Sequence, residues 1–150
     1  MPPSSLRLHD YLPYRLSVAS NAVSRLIARA YEDKFGLSIA EWRLLAILGD
    51  EGPLTQQTLC GRTLMDKVTV LRAARTLLRR RLIRRLPNPA DGRSHRLSMT
   101  VSGRSLYLEI VPLAKRHEKQ LLEGIGEADV RRLHQLLRQL QETAGANGDR

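Results

Sequence analysis

At 150 residues the chain has the length of one ordinary domain, enough to bury about two-thirds of its unfolded surface without a staple. With 42% apolar residues and 25 Lys and Arg against 15 Asp and Glu, it is neither a low-hydrophobicity disordered chain nor a membrane span. The N-terminus shows no apolar run behind a basic cluster, so no signal peptide is expected, and one Cys builds no disulfide framework; cytoplasmic residence is the expectation.

Leu12, Leu16, Ala19, Val23, Leu26 and Ala30 alternate four- and three-residue steps, which predicts a first helix from about Asp10 to Phe35, capped by Asp10, with Pro13 in its first turn and Gly36 as its stop. Ser38 followed three residues later by Glu41 is a capping box, and Leu37 is placed to staple against Trp42. The second helix should reach about Leu48, where Gly49, Gly52 and Pro53 break the chain. Thr55 caps a short helix to about Arg62, and Asp66 caps another to about Arg80. On this fourth helix Val70, Leu71, Ala74, Leu77 and Leu78 mark one side, while Lys67, Thr69, Arg72, Arg75 and Arg79 lie towards the other. Two strands, Leu82 to Leu86 and Arg96 to Met99, flank the turn-forming stretch from Pro87 to Ser94, giving a two-stranded hairpin with a basic tip. A helix from Thr100 to about Leu122 contains Pro112, which predicts a kink. The last helix, Glu127 to about Thr143, is expected to bury Val130, Leu133, Leu136, Leu137 and Leu140, and the tail from Gly145 to be loose. A short helix, tight turn, basic helix and hairpin in that order define a winged helix-turn-helix in a mainly α fold, with the lobe at about 37–99.

The positive charge is concentrated rather than spread. Residues 62–104 hold twelve basic and two acidic side chains, and the remainder of the chain holds thirteen of each. The whole excess thus lies in one segment, the footprint of a polyanion-binding surface, and a solvated face would have interleaved Glu. Twenty-one of the 25 cations are Arg, whose planar fork suits phosphates and base edges. Tyr11, Tyr14, Tyr31, Phe35, Trp42 and Tyr107 all fall outside the segment, which argues against base-stacking platforms for single strands and for duplex binding or an anionic membrane surface. The Arg-rich helix lacks the insertable aromatics that a membrane-surface helix needs. RNA binding and protein docking remain as alternatives for a winged fold. Arg79, Arg80, Arg84 and Arg85 read either as phosphate contacts or as solvated cations, and Asp66 as a cap. Cys60, among apolar neighbours, reads as a buried inert thiol, with a redox role as the alternative. His9, His95, His117 and His134 have no metal-ligand spacing, and neither a phosphate loop nor a nucleophile-base pair is evident, so no metal, cofactor or catalysis is expected.

Leu64-Met65-Asp66-Lys67-Val68-Thr69-Val70, the run from Arg80 to Arg85, Asp91-Gly92-Arg93, and Leu97-Ser98-Met99-Thr100 ahead of Gly103-Arg104 resemble the MarR family of bacterial transcriptional regulators, over about Tyr11 to Gln141. The resemblance implies a homodimer with intertwined terminal helices, here residues 10–36 and 100–144, and a palindromic operator relieved by a small phenolic or aromatic-acid ligand. It places Lys67, Thr69 and Arg72 at positions facing the major groove, Arg93 as the wing arginine of the minor groove, and Asp91 as the residue that orients it; Arg75 joins them as a candidate DNA contact. Val68 and Leu71 depart from the small polar residues usual there, which allows a methyl contact to thymine, and Arg81 replaces the usual Gly after the recognition helix. The family's effector cavity lies between dimerisation helices and DNA-binding lobe, where the first two helices offer His9, Tyr11, Arg15, Trp42 and Arg43. Arg15 is suited to pair a carboxylate, with Tyr11 and Trp42 flanking a ring. The plainer readings are an intersubunit ion pair for Arg15 and a helix staple for Trp42.

Overall fold

The computed structural model describes residues 5–148, which divide into two compact units, one up to Ile110 and one from Val111 onward. In the first unit a 3-10 turn, Leu8–Asp10, leads into α1 (Leu12–Phe35). Tyr11 rather than Asp10 occupies the N-cap, with no side-chain cap bond, because the 3-10 turn has already drawn Asp10 into its own hydrogen bonding. Gly36 ends α1 in the left-handed conformation, φ 62°, as its sequence position requires.

Ser38 and Glu41 form the capping box of α2 (Ile39–Glu51), with Glu41 buried and its Oε2 accepting from the Ser38 amide. The helix runs through Gly49 and stops at Gly52, φ 84°. Gly49 does not break it: the ring of Tyr107 lies against its backbone, and a Cβ there would stand 2.6 Å from Tyr107 Cζ. This glycine provides clearance for an aromatic ring within a helix, not a turn.

Then follow β1 (Leu54–Thr55), α3 (Gln56–Thr63), α4 (Lys67–Arg79), β2 (Ile83–Pro87), β3 (His95–Met99) and α5 (Val101–Leu121). The sheet has three antiparallel strands in the order β1-β3-β2, one more than expected. β1 is two residues long, too short for a periodicity signal, and exists because Leu54 pairs with Leu97 and Thr55 with Arg96. The wing pairs Ile83 with Met99 through to Pro87 with His95. Leu37, Leu44, Leu45, Leu48, Leu59, Val70, Leu77, Leu82, Ile83 and Leu97 fill the core of the lobe. On α4 the buried set is Val70, Ala73, Ala74 and Leu77, with Leu71 and Leu78 at its half-buried margin. The helix therefore sits closer to its neighbours than an all-leucine face would permit.

The turn from α4 to β2 is held from several sides. Arg81 is left-handed, φ 57°, while its amide donates to Leu78 O and that of Leu82 to Leu77 O, the pattern that closes a helix end. Thr100 donates its amide to Leu82 O at 3.0 Å and its hydroxyl to Arg81 O at 2.6 Å, and accepts from the Gly103 amide at the start of α5. Gly103 lies so close that a Cβ would stand 1.9 Å from Leu82 O.

In the second unit α5 ends at Leu121, Gly124 turns the chain with φ 84°, and α6 spans Glu127–Gly148. Residues 145–148, expected to be loose, continue the helix; 149–150 lie outside the described residues. Val130 is half-buried, whereas Leu133, Leu136, Leu137 and Leu140 are 39–45% exposed, so the stripe expected to be buried is uncovered in the single chain. Periodicity marks an apolar face but not whether its own chain or another supplies the cover.

Two substitutions test the turn. Gly103→Ala should lower unfolding free energy by about 3 kcal/mol despite its better helix propensity, because a backbone oxygen must move. Arg81→Gly should raise it by about 0.5–1 kcal/mol by removing the left-handed penalty. Urea denaturation of the two variants checks both signs.

Candidate nucleic-acid interface

Thr55 caps α3 by accepting from the Thr58 amide at 3.1 Å, and Leu64 ends that helix in the left-handed region, φ 55°. Asp66 then caps α4, taking the Thr69 amide at 2.8 Å and the Thr69 hydroxyl at 2.6 Å. Those hydrogen bonds, the hydroxyl's first, hold the Asp66 carboxyl below its ordinary range. The carboxylate therefore belongs to the helix end, as the sequence implies, and the Thr69 hydroxyl proton is committed to it.

Successive residues of α4 are displaced by about 100° around its axis, so the direction opposite the buried set can be read directly. Val68, Arg72, Arg75 and Arg79 cluster within about 60° of that direction and are all exposed. Lys67 and Thr69 flank the ridge, Lys67 exposed and Thr69 half-buried. Three of the four expected α4 contacts, Lys67, Arg72 and Arg75, are thus open to solvent. Val68, at the front of the ridge, is the residue that counting charges passes over.

The wing turn is ordered by its own polar groups. Asn88 donates its side-chain amide to Ser94 Oγ at 2.8 Å and accepts from the Ala90 amide. Asp91 Oδ1 accepts from the Arg93 backbone amide at 2.9 Å. Asp91 thus engages the backbone of Arg93, which shapes the turn and leaves the Arg93 guanidinium exposed at its tip. Arg85 and Arg93 share a concave surface with Gln56 and Gln57 at the start of α3.

The remaining cations separate by partner. Arg80 donates to Gly36 O at 2.9 Å and Phe35 O at 3.2 Å, closing the carbonyl end of α1. Its guanidinium thus has a structural partner within the lobe, a role that its place in an arginine run does not suggest. Arg62 pairs with Glu51 at 2.8 Å, so a counter-charge from outside the basic segment meets it. Arg79, Arg84 and Arg85 are exposed.

Tyr11 and Arg15 stand exposed at the start of α1, and Trp42 is half-buried near the start of α2. Trp42 stacks on Tyr107, centroids 6.1 Å apart, and tilts against Tyr31 at 5.4 Å; burial pushes the Tyr31 phenol up. Tyr31 follows Arg15 by sixteen residues of continuous helix, about 24 Å of rise, so one chain does not bring Arg15 to Trp42. The partners of Trp42 were missed because Tyr107 is distant in sequence; a glycine inside a helix, Gly49, was the available signal. Cys60 is half-buried rather than buried. Among the described residues no group of three or more His, Cys, Asp or Glu could hold a metal ion, and no helix is long and apolar enough to cross a membrane.

A capped helix presenting a cationic ridge, with a basic wing beside it, defines a winged helix-turn-helix DNA-binding protein. A sequence model described as MarR family matches residues 35–94. The chain is 26% identical over 156 residues to the HTH-type transcriptional repressor NicR of Pseudomonas putida, covering 95% of this chain and 96% of that one. It is similar to a probable transcriptional regulator from Pseudomonas aeruginosa, at 31% identity and TM-score 0.78, with 89% and 99% of the two chains covered. A MarR/EmrR family transcriptional regulator from Acinetobacter sp. ADP1 superposes with TM-score 0.87 at 26% identity, covering 94% and 99%. The chain belongs to the MarR family of transcriptional regulators.

Neighbouring arginines should fail differently. Arg80→Ala should lower the melting midpoint by several degrees through the uncapped end of α1, leaving the salt dependence of DNA binding unchanged. Arg79→Ala should leave the midpoint and weaken binding. Thermal denaturation alongside a salt titration reads both.

Proposed function

We propose that the protein is a cytoplasmic, homodimeric repressor that binds a palindromic duplex operator and is released from it by a small aromatic acid or phenol. The observation that carries the DNA reading is the face of α4: Arg72, Arg75 and Arg79 in one exposed row, beginning at a capped helix N-terminus. Helix N-terminal side chains reach base edges in a major groove, and an Arg fork bonds guanine bidentately. Arg72 and Arg75 take this role with Lys67 on the adjoining phosphate. Thr69 serves the Asp66 cap and orients the helix start. Arg93 enters the minor groove, held at the wing tip by the backbone contact of Asp91.

The test is salt dependence with sequence variants. Two subunits neutralising roughly six to ten phosphates give a log–log slope of about −5 to −9. Arg72→Ala should cost about 1–3 kcal/mol and blur one base pair per half-site. Arg93→Ala should lower the slope by about one per subunit and weaken A·T-rich flanks most. A flat salt response, or structured RNA outcompeting a palindromic duplex at matched salt, would favour the alternative of an RNA-binding or protein-docking module.

Dimerisation is supported by apolar faces that the single chain leaves exposed: Leu12, Leu16 and Leu26 on α1, and Leu133, Leu136, Leu137 and Leu140 on α6. Faces of this size resemble a core cut in half. Sedimentation should give a dimer at micromolar concentration, and a stable folded monomer there would contradict the reading.

The effector class is supported by the cation and aromatic groups that α1 and α2 carry, Arg15, Tyr11 and Trp42, and by a structural relative. BpsR of Bordetella bronchiseptica, 23% identical at TM-score 0.71, has its DNA binding regulated by 6-hydroxynicotinic acid. Since one chain separates Arg15 and Tyr11 from Trp42, a pocket uniting them takes residues from both subunits. A hydroxylated aromatic acid should release the operator, and Arg15→Ala should lose that response while keeping its DNA affinity. Full response in the variant removes Arg15 from the site.

A further inference from the structure

Val68 is 63% exposed and stands at the front of the α4 face that opposes the core, in register with Arg72, Arg75 and Arg79. Every other residue of that row is a cation. Just before it, Leu64 is 77% exposed in a left-handed turn, so the apolar surface extends to the tip of the helix-turn-helix. Neither side chain contributes to the core, and Val is a weaker helix former than the Lys, Gln or Glu that ordinarily occupy a solvated first turn. The surface is continuous with the cationic row, whose charge would hold phosphates on either side of whatever the first turn touches. In a major groove the one apolar feature on a base edge is the pyrimidine 5-methyl group, and a branched aliphatic side chain is its natural contact.

We propose that Val68 reads thymine: its methyl groups pack on a thymine 5-methyl at one position of each operator half-site, making Val68 a specificity-determining residue. The inference rests on the proposed major-groove role of α4 and adds to it the chemical identity of one base. Asp66 strengthens the assignment, because its hydrogen bonds to the amide and hydroxyl of Thr69 fix the first turn. That turn presents Val68 in a set direction.

A duplex that the protein binds is first selected from a pool with a randomised centre, then resynthesised with each thymine replaced in turn by deoxyuridine, which lacks only the methyl group. At one thymine per half-site the wild-type protein should bind the uracil duplex about four-fold more weakly, the worth of one buried methyl-sized group. Val68→Ser, exposed and in a first turn that accepts Ser, should bind the two duplexes alike with its melting midpoint unchanged, and Val68→Ala should fall between. A wild-type protein indifferent to uracil at every position would overturn the proposal without help from any variant. So would an undiminished uracil penalty in Val68→Ser. Failure to select any duplex would overturn the DNA reading itself, an outcome distinct from binding that ignores the methyl group.

Discussion

The hydrogen-bonded corner between α4 and β2 is the constraint on which the DNA-binding lobe depends. Four elements meet there: the last turn of α4 through Leu77 O and Leu78 O, β2 through Leu82 just before it, β3 through Thr100 just after it, and α5 through Gly103. A left-handed arginine and a glycine without room for a methyl group are both tolerated because the surrounding bonds over-determine the backbone. The consequence is mechanical. The cationic row of α4 and the tip of the wing leave the same corner in fixed directions, so recognition helix and wing are set as a pair.

Charge follows from that frame rather than from composition. Of the twelve cations in residues 62–104, Arg80 closes α1 and Arg62 meets Glu51. These two have protein partners although they too are exposed, while no ion pair is found for Lys67, Arg72, Arg75, Arg79, Arg84, Arg85 or Arg93 with another described residue. A row of cations without acidic neighbours favours the approach of a polyanion to that face. Asp91 accepts from the Arg93 amide and shapes the wing turn, leaving the Arg93 guanidinium exposed.

The apolar residues divide in the same way. Inside the lobe, leucines from α2, α3 and the sheet are closed off from water. On α1 and α6 equally regular leucines stay exposed in the single chain.

The sequence alone carried the local features. Caps at Ser38, Thr55 and Asp66, the stop at Gly36, the wing turn, the basic segment and the winged order of elements are legible because each is set by interactions within a few residues, and most strand and helix bounds came within one or two positions. The continuation of α2 past Gly49, the strand β1, the role of Arg80 and the surroundings of Trp42 are not. Each depends on a residue far along the chain: Tyr107 over Gly49 and Trp42, Leu97 beside Leu54, Gly36 beneath Arg80. Tertiary structure also decided which ridge of α4 faces outward, and so that Val68 stands among the arginines. Periodicity gives a helix two sides, but only packing against α2 and the sheet determines where one side ends and the other begins.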